Sequence, residues 1–151
     1  MINVSYEDYL AEHGTLTYSN VGISMLPMLK QGRDLFTVRK KGTERCKKYD
    51  VVLYRRPPSS YVLHRIIRVL PDGYVTLGDN SIRREPGITD EQIIGVLTEF
   101  VHRGRRISVH NFGYRCYAHV WVALWPLRRL FRRGFGWLRN KLRGGEKGKR
   151  T

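Results

Sequence analysis

The stretch that decides the fold is Tyr61-Val62-Leu63-His64-Arg65-Ile66-Ile67-Arg68-Val69-Leu70, followed by Pro71-Asp72-Gly73 and Tyr74-Val75-Thr76-Leu77. β-Branched and aromatic residues dominate it, so residues 61–69 and 74–77 are predicted as strands. Alternation puts Val62, His64 and Ile66 on one face of the first strand and Leu63, Arg65 and Ile67 on the other. Pro71-Asp72-Gly73 combines a fixed φ, a side chain able to bond its own backbone and a residue free of Cβ, so it predicts a hairpin turn. Working outward, the same pattern recurs at residues 35–38, 50–54, 93–100 and 106–110. Turns are predicted at Lys41-Gly42-Thr43, Pro57-Pro58-Ser59-Ser60, Pro86-Gly87 and Arg103-Gly104. Many short strands with frequent turns predict a mainly β, mostly antiparallel fold. Ahead of them, residues 6–12 can form a short amphipathic helix with Tyr6, Tyr9 and Leu10 on one side, and β character begins at Leu16. There is no internal repeat.

The chain has 151 residues, 41% hydrophobic and 27% charged. That balance fits one globular domain with a small core and excludes a disordered chain. Net charge is +15, but it is unevenly placed: residues 114–151 hold eleven Lys/Arg against one acid, Glu146. The basic character therefore belongs to a tail. In residues 114–142, Val120, Val122, Leu124, Leu127, Leu130, Phe131, Trp137, Leu138 and Leu142 are interleaved with Arg128, Arg129, Arg132, Arg133, Arg139 and Lys141. This predicts a basic amphipathic helical tail over residues 113–143, broken at Pro126 and softened at Gly134 and Gly136. Such a tail suits an anionic membrane surface, contacted through residues 114–143, or a helix packed on the sheet with a solvated basic face. Nucleic acid ranks behind both. Residues 144–151 read as a disordered tail.

The apolar run 118–127 is far short of the roughly 20 residues a spanning helix needs. Residues 1–20 contain Glu7, Asp8, Glu12 and His13 and read as neither a signal peptide nor a membrane anchor. A peripheral membrane or cytoplasmic location is expected. Cys46 and Cys116 lie far apart, with no Cys-x-x-Cys and no histidine at ligand spacing, so neither a metal nor another cofactor is expected and two reduced thiols are.

Chemistry is concentrated in three short segments. Ser24 lies in Gly22-Ile23-Ser24-Met25-Leu26-Pro27, between a glycine that removes side-chain bulk and a proline that fixes chain direction. An attacking hydroxyl needs that setting, although a serine there can also simply cap a turn. His64 interrupts the strongest strand, which would hold its imidazole rigidly, and apolar neighbours favour the neutral, proton-accepting form. Taken alone, it fits a satisfied core histidine better than a base. His13, His102, His110 and His119 stand in polar or loop-edge contexts and read as incidental. Asp79, in Leu77-Gly78-Asp79-Asn80-Ser81, falls at a strand end where a carboxylate could orient His64.

In order and spacing, Gly22-x-Ser24-Met25-x-Pro27, Asp50-Val51-Val52, His64-Arg65-Ile66, Gly78-Asp79-Asn80 and Ile93-Ile94-Gly95-Val96 resemble the type I signal peptidases. The histidine in place of a lysine base resembles their endoplasmic-reticulum and sporulation branch. The resemblance covers residues 20–100, within a peptidase domain at 1–112. It implies the β-rich fold shared with self-cleaving SOS repressors and a serine endopeptidase that cleaves a leader or signal peptide. In that scheme Ser24 is the nucleophile, His64 the base and then acid, Asp79 the support of His64, and the Ser24 backbone N–H an oxyanion donor.

Three departures from the family pattern stand out. Gly22 lacks the hydroxyl the family usually carries two residues before the nucleophile. Glu85 occupies the place of a second aspartate, which leaves the third catalytic member open between Asp79 and Glu85. No membrane anchor opens the chain. The competing class is a non-catalytic peptidase-fold protein that docks on membrane or nucleic acid through its basic tail. Autoproteolysis is disfavoured, since no helix-turn-helix and no long cleavable hinge precede the domain.

Overall fold

The computed structural model describes residues 4–144. Helix α1 (Tyr6–His13) starts at Ser5, whose hydroxyl accepts from the Asp8 N–H, and stops at Gly14, whose left-handed φ of 76° lets its N–H reach the Leu10 carbonyl. Eight strands follow: β1 (Thr15–Ser19), β2 (Leu35–Lys40), β3 (Val51–Arg56), β4 (Ser60–Leu70), β5 (Gly73–Leu77), β6 (Glu85–Ile88), β7 (Ile93–His102) and β8 (Arg105–Ser108). They form one antiparallel sheet in the order β1-β2-β7-β3-β4-β5-β6, with β8 also paired to β7. Helices α2 (Phe112–Ala123) and α3 (Trp125–Gly144) complete the chain. The protein is thus mainly antiparallel β with C-terminal helices.

Both faces of the sheet are covered, which is why β3 is buried at four successive positions, Val51 to Tyr54. Val51, Leu53 and Leu63 join one core cluster with Met25, Leu29 and Phe100. Val52, Tyr54 and Ile66 join a second with Tyr74 and Ile93. The alternation read from residues 62–66 therefore matches the two cores. The β4–β5 hairpin turns at Pro71-Asp72, with Leu70 opposite Gly73, and β7–β8 turns at Arg103-Gly104, where both residues have positive φ.

Some local expectations differ from what forms. Pro86-Gly87 is not a turn but the middle of β6, an edge strand, where a residue lacking an N–H costs no ladder bond. The last strand ends at Ser108, and Asn111 caps α2 by accepting from the Tyr114 N–H. The helical break falls at Leu124, not Pro126: Pro126 sits in the first turn of α3, where its missing N–H has no intrahelical partner to lose. Gly134 and Gly136 do not interrupt α3.

The boundary expected at residue 112 falls inside α2. That helix is part of the body, with Tyr114 and Ala118 buried against it. By contrast α3 stands largely free, its apolar side chains in solvent. Apart from Gly144, which ends α3, the tail read as disordered lies outside the described residues. Among the described residues, no helix is long and apolar enough to cross a membrane. Both cysteines are free thiols, Cys46 buried and Cys116 exposed.

Candidate active site

Ser24 is half-buried in the long turn between β1 and β2. Met25, Met28 and Leu29 anchor that turn in the core. Polar groups close it: Asn20 Nδ2 donates to the Gly22 carbonyl at 3.2 Å, and the Gly22 N–H donates to Gln31 Oε1 at 3.0 Å. At the far end the buried Asp34 carboxylate is bound by Arg33 and accepts from the Lys30 and Arg103 N–H groups. His102 donates through Nδ1 to the Met28 carbonyl at 2.9 Å. Gly22 has φ +84°, a left-handed value that favours glycine at this position.

His64 approaches this turn from β4. The meeting point is Gly78. A Cβ added there would lie 2.7 Å from the Ser24 carbonyl oxygen, 2.7 Å from Ser81 Oγ and 2.9 Å from His64 Nε2. Ser24, His64, Gly78 and Ser81 therefore converge, and only glycine leaves room for them. The Asn80 N–H donates to the Ser24 carbonyl at 2.7 Å, binding the Ser24 turn to the Gly78-Asp79-Asn80 loop. Among the described residues nothing accepts from the Ser24 N–H, and no hydrogen bond joins the Ser24 hydroxyl to His64. Such contacts commonly tighten only when substrate is bound.

The other side of the imidazole carries a relay that the sequence did not reveal. Nδ1 lies 3.3 Å from the Tyr54 hydroxyl, and that hydroxyl donates to Glu85 Oε2 at 2.8 Å. Because it donates its hydrogen bond to Glu85, the Tyr54 oxygen can accept from Nδ1–H. The network thereby assigns the tautomer with the proton on Nδ1 and a free lone pair on Nε2, the ring nitrogen beside Gly78. Thr76 Oγ1, 3.2 Å from the same hydroxyl, completes its surroundings. Glu85 Oε1 is 3.8 Å from Nδ1 and also pairs with Arg56. Burial pushes the His64 pKa below its ordinary value, with Glu85 acting in the opposite direction. The neutral imidazole is the form that can take a proton near neutral pH.

Asp79 is placed differently from expectation. Its carboxylate takes both prongs of Arg65, Nε to Oδ1 at 2.9 Å and Nη2 to Oδ2 at 2.8 Å, and the Tyr117 hydroxyl donates to Oδ2 at 2.9 Å. His64 is not its partner. The reason is strand geometry: adjacent residues of β4 face opposite sides, so His64 meets Tyr54 and Glu85 while Arg65 captures Asp79. Arg65 is fully buried and Asp79 nearly so, and Arg65 also donates to the Tyr114 hydroxyl. Of the two carboxylates left open by sequence, Glu85 is the one beside His64. Asp79 instead sets the shape of the loop that holds Ser24.

That loop is also gripped by the C-terminal helices. The Asp79 carbonyl accepts from Trp121 Nε1 at 2.8 Å and from Arg128 Nη1 at 2.6 Å. Arg132 donates to the Asn80 carbonyl at 2.6 Å and to Asn80 Oδ1. Among the described residues, no cluster of three His, Cys, Asp or Glu side chains is arranged to hold a metal ion. His110 and His119 lie away from Ser24, beside a surface cleft with Tyr49 and Arg115. The chain matches no protein-family model, no curated protein and no solved structure.

Proposed function

We propose that the protein is a serine endopeptidase with a Ser24–His64 pair, resembling signal peptidase I in the order of its motifs and in its β-rich fold, and that it cleaves a leader or signal peptide. The observation that carries this reading is the convergence at Gly78 of the Ser24 backbone carbonyl and the Nε2 of a buried His64. A decayed binding module would have no use for a glycine kept clear between those two groups.

The steps follow from the contacts. As the Ser24 hydroxyl attacks the scissile carbonyl carbon, its proton passes to His64 Nε2 and a C–O bond forms. The imidazolium then keeps its Nδ1 proton on the Tyr54 oxygen, and Glu85 offsets the charge through Tyr54 and directly across 3.8 Å. The negative oxygen of the tetrahedral intermediate is received by the Ser24 N–H, which has no other acceptor among the described residues. His64 returns its proton to the leaving amine as the C–N bond breaks. Water, deprotonated by the same Nε2, then hydrolyses the acyl-enzyme and regenerates Ser24. Glu85 takes the supporting role in this reading, and Asp79 the positioning one. The test is cleavage of a synthetic leader peptide ending in Ala-x-Ala by the wild type and by Ser24→Ala, with products identified by mass.

A further inference from the structure

We propose that α3 docks the protein on an anionic membrane surface, lying in the headgroup region along its apolar stripe. Leu127, Leu130, Phe131, Phe135, Trp137, Leu138 and Leu142 are 48–73% exposed, so nothing among the described residues covers them. At about 100° per residue these seven side chains occupy an arc of about 160°. Arg128, Arg129, Arg132, Arg133, Arg139 and Arg143 fall on the opposite arc. Lys141 is the exception, with its ammonium 4.8 Å from the centre of the Trp137 ring, where a long stem can carry charge back to the polar side.

Charge selects the occupant. Helix α3 contains no acidic residue among its 20 positions. A second copy packed on the stripe would bring two wholly cationic helices together, and a protein partner would have to supply both an apolar groove and a field of carboxylates. A bilayer bearing acidic headgroups supplies both at once. The helix is also held in a fixed orientation. Arg128 and Arg132, on the polar arc, bind the Asp79 and Asn80 carbonyls while the stripe faces outward. The loop that holds Ser24 is thereby kept one helix diameter, roughly 10 Å, from the lipid surface, where a substrate with an apolar leader would be concentrated. That last consequence rests on the peptidase reading; the docking itself does not.

The test is co-sedimentation of the full chain with vesicles of phosphatidylcholine alone and of phosphatidylcholine mixed with phosphatidylglycerol. The wild type should sediment with the mixed vesicles and stay in solution with the neutral ones. Leu130→Ser, Phe131→Ser and Leu138→Ser together should abolish sedimentation. Arg133→Gln, Arg139→Gln and Arg143→Gln together should weaken it about 10²-fold, at about a fivefold loss per cation. All six positions are on the free helix, so circular dichroism of the β body should be unchanged. Equal sedimentation with both vesicle types, sedimentation with neither, or full binding by the triple serine variant would overturn the proposal. A dimer in equilibrium ultracentrifugation that the serine variant dissolves, without vesicle binding, would assign the stripe to a second copy instead. No substrate enters this assay, so its failure and failure of the peptidase reading are separately visible.

Discussion

The Asn80 backbone N–H donates to the Ser24 carbonyl over 2.7 Å, so the loop after β5 and the turn before β2 are one mechanical unit at the site. Gly78 is the contact plane of that unit. In Gly78→Ala the methyl would have to displace the Ser24 backbone, the Ser81 hydroxyl or the His64 ring. A displacement of about 1 Å is enough to cost about 10²-fold in rate, so kcat/KM should fall by at least that much. Peptide cleavage kinetics check it, and a thermal melt gives the accompanying loss of stability.

Asp79 and Glu85 should separate cleanly under neutral substitution. Asp79→Asn leaves the fully buried Arg65 without its counter-charge, and breaking such a pair costs about 3–5 kcal/mol. Its signature is a melting temperature lower by about 6–20 °C, at about 2–4 °C per kcal/mol. Glu85→Gln spares that pair but removes the charge that favours protonated His64. The acidic limb of its pH–rate profile should move further down in pH. Titrating activity and stability of both variants checks the assignment.

Tyr54→Phe removes the hydroxyl between His64 and Glu85 while keeping the buried ring. Nδ1–H and Thr76 then lose a partner, at about 1–3 kcal/mol for a buried unsatisfied group. The imidazole also loses the contact that fixes its tautomer. The expected result is a lower kcat with KM little changed, since Tyr54 is buried and touches no substrate. Steady-state kinetics over a substrate series resolve the two parameters.

His64 also fixes the sign of the pH dependence. Its folded pKa lies below its ordinary value because it is buried, so the neutral imidazole persists into mildly acidic solution. Activity should rise with pH through a midpoint below about 6.5, the unperturbed histidine value. The unfolded chain binds the proton first, so His64 contributes a loss of stability as pH falls from about 6.5 to the folded pKa, and none above that range. NMR titration of the His64 ring, compared with a peptide containing it, measures the shift directly.

The legible and illegible parts of this fold have physical causes. The hairpin at Pro71-Asp72, the alternation around His64 and the short helix at residues 6–12 are local, and local chemistry specifies them. The Tyr54–Glu85 relay is not local: it joins β3 and β6 across β4 and β5, and no spacing in the chain announces it. Glu85 is legible as an alternative to Asp79, but no spacing shows that it meets Tyr54. Asp79 reads as a partner for His64 because a carboxylate after a strand fits both a histidine and an arginine. The choice depends on which face of β4 turns toward it. In the tail, the many arginines of α3 masked the short inward stripe of α2, where Tyr114 and Ala118, four residues apart, enter the core.

The most direct measurement is the mass of the protein after reaction with an activated acyl ester of a leader-type peptide, compared among wild type, Ser24→Ala and His64→Ala. The wild type should gain the mass of the acyl group on the peptide containing Ser24. Ser24→Ala should gain none, and His64→Ala should acylate more slowly by about 10³-fold or more, the usual loss when such a base is removed. Acylation of Ser24→Ala at the wild-type rate, or a wild type modified at some other residue, would contradict the account.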